Sequence, residues 1–397
     1  MVVTAYQSPS TNGSYSKTIL TISLIAYQLL ARRTITITVM SKQTALLVTQ
    51  VGGRVHAVSD WPVPQPGPKQ VQIRVNVAGL NPHDQKARDT GLFIKDNLPA
   101  ILGNDVTGVI TVLGSEVTKY KVGDRIVSQS GLGGNTQNAL QQYVVLDEDF
   151  TAKIPVGFKD DEAATIPTNA LAGLIALFNP SGLGIPAPWA SKEGDAAFDY
   201  AGTTLLIIGG GSNCGRFGVQ LAHLAGIGTI VVVGGSEEEL KRYGATHVLD
   251  RHGGDEAVLA RIRDIVGDNL IYAYDTVNPP AGQHLALSAL SSSKTGRLAR
   301  LLFSSGAVDE SKILGEKKEG FALRNVLGLS HINAETAKPF WGRLSTFLEE
   351  GKLVPLAYET VKGLDEDKVN EVLDRYRDGK KVVQTHFRVS DKNSSSI

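Results

Sequence analysis

The feature that most constrains the fold is an apolar run with a glycine cluster directly behind it. Residues 203–208 (TTLLII) show no polar alternation, which is typical of a strand buried on both faces of a parallel sheet. The glycine-rich residues 209–215 (GGGSNCG) follow, and residues 215–225 then form an amphipathic stretch. Strand, glycine turn and helix in this order predict the first βα unit of a doubly wound sheet.

The same alternation continues downstream. Short apolar runs alternate with helical patterns as far as residue 303, which predicts a Rossmann-type doubly wound parallel sheet. The predicted strands are residues 230–233, 247–249, 271–274 and 297–303, and the predicted helices are residues 237–243, 255–266 and 281–290.

A β-rich region precedes this alternation. Short strand-like runs separated by Pro and Gly occupy residues 43–165 and predict a compact, barrel-like β domain, so the fold class is α/β. A lone last strand at residues 382–389 needs a sheet to join, and we expect it to join that of the first domain. The runs of the β domain are residues 44–48, 71–77, 107–113, 125–127 and 142–146.

Composition excludes several classes of protein. The 397 residues include 40 Lys and Arg and 40 Asp and Glu, so the formal net charge is zero. This balance lacks the excess of basic residues that is typical of a nucleic-acid-binding protein. The apolar residues 19–31 are too few to span a bilayer as a helix, so we expect no membrane partner. The single cysteine, Cys214, excludes an intramolecular disulfide and any zinc site built from two thiolates.

Residues 1–40 differ from the rest of the chain. They contain Lys17, Arg32 and Arg33 and no acid, with many Ser and Thr. This pattern fits a mitochondrial transit peptide, and the alternative is a leader or disordered extension ahead of Met40. We expect a cytoplasmic protein, or a mitochondrial one if the segment is a transit peptide.

The glycine cluster is a candidate phosphate-binding turn. Its nearest fit to Gly-x-Gly-x-x-Gly is Gly210-x-Ser212-x-x-Gly215, one substitution away. Small residues let the backbone approach a pyrophosphate, whose charge the following helix N-terminus favours. A tight turn without a ligand is the alternative. The candidate cofactor-binding residues here are Gly210, Gly211, Ser212, Asn213, Cys214 and Gly215, with Cys214 expected to serve packing and not as a nucleophile.

The tip of the second strand distinguishes the two nicotinamide cofactors. A NAD site usually has a carboxylate there, whereas this strand ends Val233-Gly234-Gly235-Ser236. Ser236, Lys241 and Arg242 supply hydroxyl and cationic partners for a 2′-phosphate, and Arg251 is a further candidate. Glu237, Glu238 and Glu239 favour NAD if they face the pocket, but we expect them to form an exposed first helix turn. The cofactor is therefore predicted to be NADP, bound as NADPH.

A family resemblance rests on residues 103–127 (GNDVTGVITVLGSEVTKYKVGDRIV). They resemble the signature of the medium-chain dehydrogenase/reductase superfamily, and Asn81-Pro82-x-Asp84 resembles its zinc-free quinone oxidoreductase branch. The segment at residues 179–202, with PSGLGIPAPW inside it, is similar to fungal enoyl reductases of the polyketide-partner type. The resemblance implies a GroES-like catalytic domain with a Rossmann domain inserted into it.

On this basis we predict four segments. Residues 41–165 form the first part of the GroES-like catalytic domain, and residues 166–335 form the Rossmann NADP-binding domain. Residues 336–397 return to the catalytic domain, and residues 1–40 stay outside the fold as a leader or extension.

The departures from the zinc enzymes of the superfamily are informative. The resemblance places the first Cys ligand of the zinc enzymes at Asn81 or Pro82. It places their His-Glu pair at Asn104-Asp105. Neither Asn nor Pro replaces a thiolate or an imidazole on zinc. The eight histidines show no paired ligand spacing and are expected to be surface or core residues, so no metal is predicted.

Without a Lewis acid, hydride transfer to an activated double bond is favoured over alcohol oxidation. We predict a zinc-independent oxidoreductase that transfers hydride from NADPH to a quinone, an enone or an α,β-unsaturated acyl group. The alternatives are a trans-acting enoyl reductase of a polyketide-type pathway and a non-catalytic nucleotide-binding protein.

The resemblance also implies the residues around the nicotinamide. The catalytic candidates are Asn81 as a hydrogen-bond donor, Lys86 as a donor or a salt-bridge partner of Asp84 or Asp105, and Asp105, which alternatively holds a turn. We expect a small-molecule substrate, and a homodimer through an edge strand at residues 325–329 (NVLGL). The cofactor-binding candidates are Thr168, Asp275, Val277 and Phe303.

Overall fold

The computed structural model describes residues 41–131, 134–190, 197–301 and 306–390. The leader at residues 1–40 and the cofactor candidate Phe303 lie outside these ranges. Within them, no helix combines the length and the apolar character that crossing a bilayer requires.

The N-terminal part consists of short, mostly antiparallel strands. β1 pairs with β2 and β4 in one sheet, while β3 lies between β5 and β7 in a second sheet that continues through β6 to β8. The strands are β1 (Lys42–Val48), β2 (Val55–Pro62), β3 (Gln70–Gly79), β4 (Ala100–Ile101), β5 (Asp105–Leu113), β6 (Arg125–Gln129), β7 (Tyr143–Asp147) and β8 (Thr151–Lys153).

The middle of the chain forms a parallel sheet, which confirms the predicted α/β class with a Rossmann-type sheet. Its described strands lie in the order β11-β10-β9-β12-β13-β14, so the first strand of the unit occupies the centre. The strands are β9 (Thr204–Ile208), β10 (Thr229–Val233), β11 (His247–Leu249), β12 (Tyr272–Asp275), β13 (Gly296–Leu301) and β14 (Phe321–Val326).

The end of the chain returns to the first part. β15 (Tyr358–Lys362) pairs in parallel with β16 (Gln384–Arg388), and β16 pairs antiparallel with β3. The second sheet therefore contains strands from both ends of the described chain. The boundaries of the four predicted segments stay predictions.

Helices connect and cover these sheets. They are α1 (Pro82–Thr90), α2 (Asp160–Ala164), α3 (Pro167–Phe178), α4 (Asn213–Leu224), α5 (Glu237–Arg242), α6 (Asp255–Val266), α7 (His284–Ala289), α8 (Ala334–Glu349) and α9 (Glu366–Arg377).

Helix α3 is the central helix of the core. It is apolar on nearly all sides, and eleven of its twelve residues are buried. It packs closely on α4, because a Cβ added to Gly173 would lie 3.3 Å from the backbone nitrogen of Gly218. One apolar cluster extends from α3 and the parallel sheet to Val127 and Phe150 of the N-terminal part. This shared core holds the two sheets against each other and fixes the geometry of the space between them.

Candidate active site

The glycine turn after β9 packs closely against its surroundings. Gly209 adopts φ +89°, and the Ser212 hydroxyl caps α4 by accepting a hydrogen bond from the Gly215 N–H at 2.9 Å. A Cβ on Gly215 would lie 2.3 Å from the Gly209 carbonyl oxygen, and one on Gly210 would lie 2.3 Å from Val232 Cγ1. Only glycine fits at these positions, so the turn keeps the narrow backbone cradle that a pyrophosphate requires.

The turn lies where the sheet order reverses. β9 is flanked by β10 and β12, and ligands of such sheets bind outside the carboxyl ends of the strands at this point. The side chain of Val277, which follows β12, lies over the turn, because a Cβ on Gly209 would be 2.6 Å from Val277 Cγ1. Val277 is 50% exposed and thus borders open space beside the turn.

Asp275 has a different role from Val277. Its carboxylate accepts hydrogen bonds from the Val277 N–H at 3.1 Å and from the Asn278 N–H at 2.9 Å. The side chain is buried, and burial raises its pKa above the usual range of an aspartate. Asp275 therefore shapes the turn after β12.

The residues predicted to bind the 2′-phosphate do not all lie at the tip of β10. Ser236 caps α5 by accepting from the Glu239 N–H at 3.4 Å, and the Arg242 guanidinium lies 5.7 Å from the ring centre of Tyr243. Lys241 donates to the carbonyl oxygen of Thr246. The Thr246 N–H donates a hydrogen bond to the carbonyl oxygen of Ile230, near the start of β10. The Lys241 ammonium therefore lies at the edge of the sheet opposite the strand tip.

Among the cationic candidates, Arg251 lies beside this tip. A Cβ added to Gly234 would lie 3.3 Å from Arg251 Cδ, and the residue is exposed. Lys241 is close to the tip in sequence only, because α5 leads the chain back across the sheet before β11 begins.

A cavity of about 470 Å³ lies between α1, the carboxyl ends of β13 and β14, and the start of α4. Its walls are mainly apolar, with Leu92, Ile94, Ala172, Leu301 and Leu329 among them. Side-chain amides interrupt this apolar surface at several points, and they belong to Asn81, Asn97, Asn104, Gln129, Asn135, Asn138 and Asn169. An apolar pocket with a few convergent polar groups is the usual form of a small-molecule site.

Only some of the predicted site residues line this cavity. Asn81, Thr168 and Cys214 line it. Among the described residues that form its walls, Lys86 and Asp105 do not appear. Lys86 is half-buried on α1, whose residues Pro82, His83, Asp84 and Ala87 line the cavity.

Asp105 is the centre of a buried network behind the cavity wall. Its carboxylate accepts from Asn81 Nδ2 at 2.7 Å, from the Thr168 N–H at 2.8 Å and from Gln384 Nε2 at 3.0 Å. The side chain is fully buried, and burial raises its pKa. Asp105 thus positions α1, α3 and β16 relative to one another. We call Asn81, Asp105, Asn169 and Gln384 the amide network, since Asn169 Nδ2 donates to Asn81 at 3.4 Å and to Gln384 at 3.2 Å.

Asn81 is held firmly at the start of α1. Its N–H donates to Asp84 Oδ2 at 2.8 Å, and the other carboxylate oxygen of Asp84 accepts from the Gly103 N–H at 2.8 Å. One N–H of the Asn81 side-chain amide donates to the Asp105 carboxylate. The motif residues Asn81 and Asp84 therefore fix the local backbone and leave only part of the Asn81 amide for a ligand.

His83 is the residue that sequence reasoning missed. It was expected to be a surface or core histidine, yet it lines the cavity with a side chain that is 16% exposed. Its Nε2 lies 2.9 Å from Asn104 Oδ1. The available signal was its place inside Asn81-Pro82-x-Asp84, directly before the aspartate.

Cys214 contacts the amide network from α4. Its thiol donates to Asn169 Oδ1 at 3.8 Å, and burial raises its pKa to about 12. The group is therefore a neutral thiol at physiological pH, unlike a catalytic thiolate.

Phe93 lies at the rim of the cavity in an unfavourable backbone conformation. It has φ +63°, a region that large side chains rarely adopt, and its side chain is 53% exposed. Strained positions of this kind concentrate at ligand sites.

The described part of residues 179–202 covers α3 and is absent from the described cavity walls. The Trp189 ring packs on Phe178 with 5.0 Å between ring centres and on Phe347 with 5.6 Å.

The predicted dimer edge also falls partly on the cavity. β14 is the outermost described strand of the parallel sheet but ends at Val326, and Leu327, Gly328 and Leu329 line the cavity. Homodimer formation stays a prediction.

Within the described ranges, no group of three or more His, Cys, Asp or Glu side chains could hold a metal ion. The positions that resemble the zinc ligands carry Asn81, Pro82 and the pair Asn104-Asp105.

Two family descriptions match this chain. Residues 67–156 match the alcohol dehydrogenase GroES-like domain, and residues 214–318 match the zinc-binding dehydrogenase family. The chain is also 30% identical over 256 residues to the trans-enoyl reductase grgB of Penicillium sp, covering 63% of this chain and 67% of that protein. The chain belongs to the medium-chain dehydrogenase/reductase superfamily.

A second relative and a solved structure extend the match. The dehydrogenase orsE of Emericella nidulans is 28% identical over 358 residues, covering 86% of this chain and 97% of the relative. The quinone oxidoreductase structure from Pseudomonas syringae shares the fold, with a TM-score of 0.66 and 22% identity over 87% of this chain and 99% of that one. As a member of the superfamily the chain is an oxidoreductase with a nucleotide-binding fold, and its N-terminal region is GroES-like.

Proposed function

We propose that this chain is an NADPH-dependent reductase of carbon–carbon double bonds conjugated to a carbonyl group, and that it works without zinc. The observation that carries the proposal is the cavity of about 470 Å³, which is apolar, borders the glycine turn through Cys214 and contains amide side chains. An apolar acyl chain with a conjugated carbonyl matches such walls.

The glycine turn and its neighbours fit the cofactor. Gly210, Gly211 and Gly215 would hold the pyrophosphate against the start of α4, with Val277 beside them, while Thr168 and Cys214 line the cavity where the nicotinamide would lie. The bound cofactor supplies a hydride. The chain itself orients the substrate and excludes water from it.

NADPH is favoured over NADH by the tip of β10. Gly234-Gly235-Ser236 follow the strand and include no carboxylate to repel a 2′-phosphate, and the exposed Arg251 lies beside Gly234. A guanidinium binds a phosphate through paired charge-assisted hydrogen bonds.

The chemistry of the side chains supports a reaction without zinc. Amide and proline groups stand at the positions that resemble the zinc ligands, and neither binds zinc as a thiolate or imidazole does. An enone carbonyl already activates its double bond towards hydride, so a hydrogen bond in the cavity replaces the Lewis acid.

The substrate class is supported by the cavity walls and by the named relatives. Relatives called trans-enoyl reductases align with this chain at 27–30% identity over 59–77% of its length. We therefore place an α,β-unsaturated acyl thioester or enone ahead of a quinone.

Turnover with defined substrates tests this proposal. NADPH oxidation is measured with a crotonyl thioester, a long-chain enone, a quinone and a primary alcohol, with and without a zinc chelator. We expect reduction of the enoyl substrates at rates that the chelator leaves unchanged. Preference for the quinone would overturn the substrate assignment, and NADPH binding without any turnover would indicate a non-catalytic nucleotide-binding protein.

Cofactor selectivity is tested by two cationic positions. Arg251→Ala should weaken NADPH binding by about tenfold and leave NADH binding unchanged, because it removes a charge-assisted contact to the 2′-phosphate. Lys241→Ala is the matched control, since Lys241 donates to Thr246 at the other edge of the sheet. Equal Kd values for the two cofactors in the parent protein would contradict the proposal.

A further inference from the structure

The titratable side chains of the cavity are few. Of the described residues that line it, His83, Asp84 and Cys214 ionise. The Cys214 thiol has its pKa raised to about 12 by burial, so it is a poor acid at neutral pH. Asp84 is 1% exposed. Its carboxylate accepts hydrogen bonds from the backbone N–H groups of Asn81 and Gly103 and thereby holds the start of α1 in place. The imidazole of His83 is the remaining group, and histidine is the side chain most often used as an acid near pH 7.

Asn104 determines which ring nitrogen carries a hydrogen. Asn104 Nδ2 donates to the Ser130 carbonyl oxygen at 3.3 Å, which orients the amide so that Oδ1 faces the ring. Because Oδ1 is an acceptor and lies 2.9 Å from His83 Nε2, this nitrogen bears the hydrogen. Asn104 thus holds the ring in one tautomer at the cavity wall.

Two carboxylates lie near the ring of His83. Asp84 Oδ2 lies 3.7 Å from His83 Nε2, and Asp105 of β5 also interacts with the ring by charge. From α9, which packs against α1, Tyr376 faces both carboxylates, and burial raises its pKa so that it stays neutral. The titratable groups around His83 are therefore the carboxyl groups of Asp84 and Asp105, with the neutral Tyr376 beside them.

We propose that His83 is the proton donor of this reductase, an assignment that rests on the proposed function. As hydride reaches the β carbon of the substrate, the carbon–carbon π bond breaks and its electron pair passes into an enolate. The Nδ1–H bond of the imidazolium then breaks, its proton forms the new C–H bond at the α carbon, and the ring becomes neutral while Nε2 keeps its hydrogen bond to Asn104. The ring, whose side chain is 16% exposed, regains a proton from water, so each turnover consumes one hydride and one proton.

A purely structural role for His83 makes a different prediction. If the ring only holds Asn104, a glutamine should replace it, because a glutamine amide also donates to Asn104 Oδ1. His83→Gln therefore keeps the hydrogen bond and removes the transferable proton. His83→Asn is a second variant that tests the same loss with a shorter side chain.

Turnover is the first readout. We expect kcat to fall by about a hundredfold in His83→Gln, with unchanged Kd for NADPH, because general acid catalysis contributes at least that factor. The parent should lose kcat as pH rises, since a protonated donor is needed, and this dependence should disappear in the variant. His56→Gln is the matched control at an exposed position of β2, and it should behave like the parent.

The second readout does not depend on turnover. Para-nitrophenolate imitates an enolate oxygen, and its binding to the cofactor-free protein is measured by titration calorimetry. We expect the parent and His56→Gln to bind it equally and His83→Gln to bind it about tenfold more weakly.

The outcomes separate the two proposals. Turnover within threefold of the parent and an unchanged pH profile in His83→Gln would overturn the role of His83 while the proposed function stands. Equal phenolate binding by all three proteins, or no binding by the parent, also overturns that role. A parent protein that reduces no enoyl substrate overturns the proposed function by itself, whatever the binding data show.

Discussion

The two ends of the proposed cleft are built in different ways. The glycine turn at one end is mainly a local structure, in which residues 209–215 set the backbone path and the Ser212 hydroxyl caps α4, while Val232 and Val277 pack against the turn. The cavity at the other end depends on the amide network, whose members Asp105 and Gln384 lie 279 residues apart in the chain. A backbone cradle is encoded by consecutive residues, whereas a buried polar network exists only when separate segments meet.

Removing the centre of the amide network should have the largest effect on stability. Asp105→Ala leaves three donors of the amide network without an acceptor, so we expect the free energy of unfolding to fall by about 3–5 kcal/mol. Urea denaturation measures this change. Asp149→Ala is the control, because Asp149 forms exposed ion pairs with Lys119 and Lys338 and should cost about 1 kcal/mol or less.

Asp105 also predicts a pH dependence of stability. Burial raises its pKa in the folded protein, so the folded state holds its proton more tightly than the unfolded chain does. The contribution of Asp105 to stability is therefore greatest at low pH and falls as pH rises from the ordinary aspartate range through the raised value. Asp105→Asn should flatten this part of the profile, and an unchanged profile would contradict the assignment.

The alkylation rate of Cys214 tests how well the cavity end of the cleft is shielded from solvent. A thiol pKa of about 12 leaves few thiolates at pH 8, so alkylation by iodoacetamide should be roughly a thousandfold slower than for an ordinary cysteine. The rate should rise tenfold per pH unit between pH 8 and pH 10. Cys214→Ala combined with Ser181→Cys places the thiol on the surface as a control, and equal rates for the two proteins would show that the site is open.

The glycine turn is tested by adding one methyl group. Gly215→Ala places a Cβ 2.3 Å from the Gly209 carbonyl oxygen, so the turn must shift and NADPH binding should weaken by at least about tenfold. Gly342→Ala is the matched control, because its Cβ meets nothing within 4 Å in the exposed part of α8. That variant should keep cofactor binding and gain about 0.5–1 kcal/mol of stability. Unchanged binding in Gly215→Ala would show that the turn does not hold the pyrophosphate.

Phe93 gives the smallest expected effect. Its φ of +63° suits glycine, whereas alanine keeps the unfavourable contact of Cβ with the backbone. Phe93→Gly should therefore be more stable than Phe93→Ala by about 1 kcal/mol, measured as the difference in unfolding free energy. Both variants should bind a long-chain enone more weakly than the parent if the ring contacts substrate at the rim, and equal stability of the two would remove the strain argument.

Several expectations depended only on neighbouring residues. The β-α alternation predicted the parallel sheet, and the short runs predicted β1, β3, β5, β6 and β7 within a few residues of the observed ends, whereas β2, β4 and β8 were not predicted. Periodicity and turn residues are local signals, so one sequence was enough to predict these elements.

Expectations about side-chain position were less secure. Lys241 and Arg251 both follow β10, yet only Arg251 lies beside Gly234, because the path of α5 takes Lys241 to the other edge. Similarly, Lys86 and His83 lie on one helix, and it is His83 that lines the cavity. Sequence spacing indicates which residues share an element but not which face meets another segment.

The sequence by itself determined the α/β class, the glycine turn and the absence of thiolate pairs for zinc, because each follows from residue type and local order. Only the tertiary structure decided that Asp105 supports the site from behind, that Gln384 completes the amide network and that His83 reaches the cavity. The physical reason is that buried hydrogen bonds require donors and acceptors from distant segments to converge. Packing of the two sheets, and not spacing along the chain, selects which of them meet.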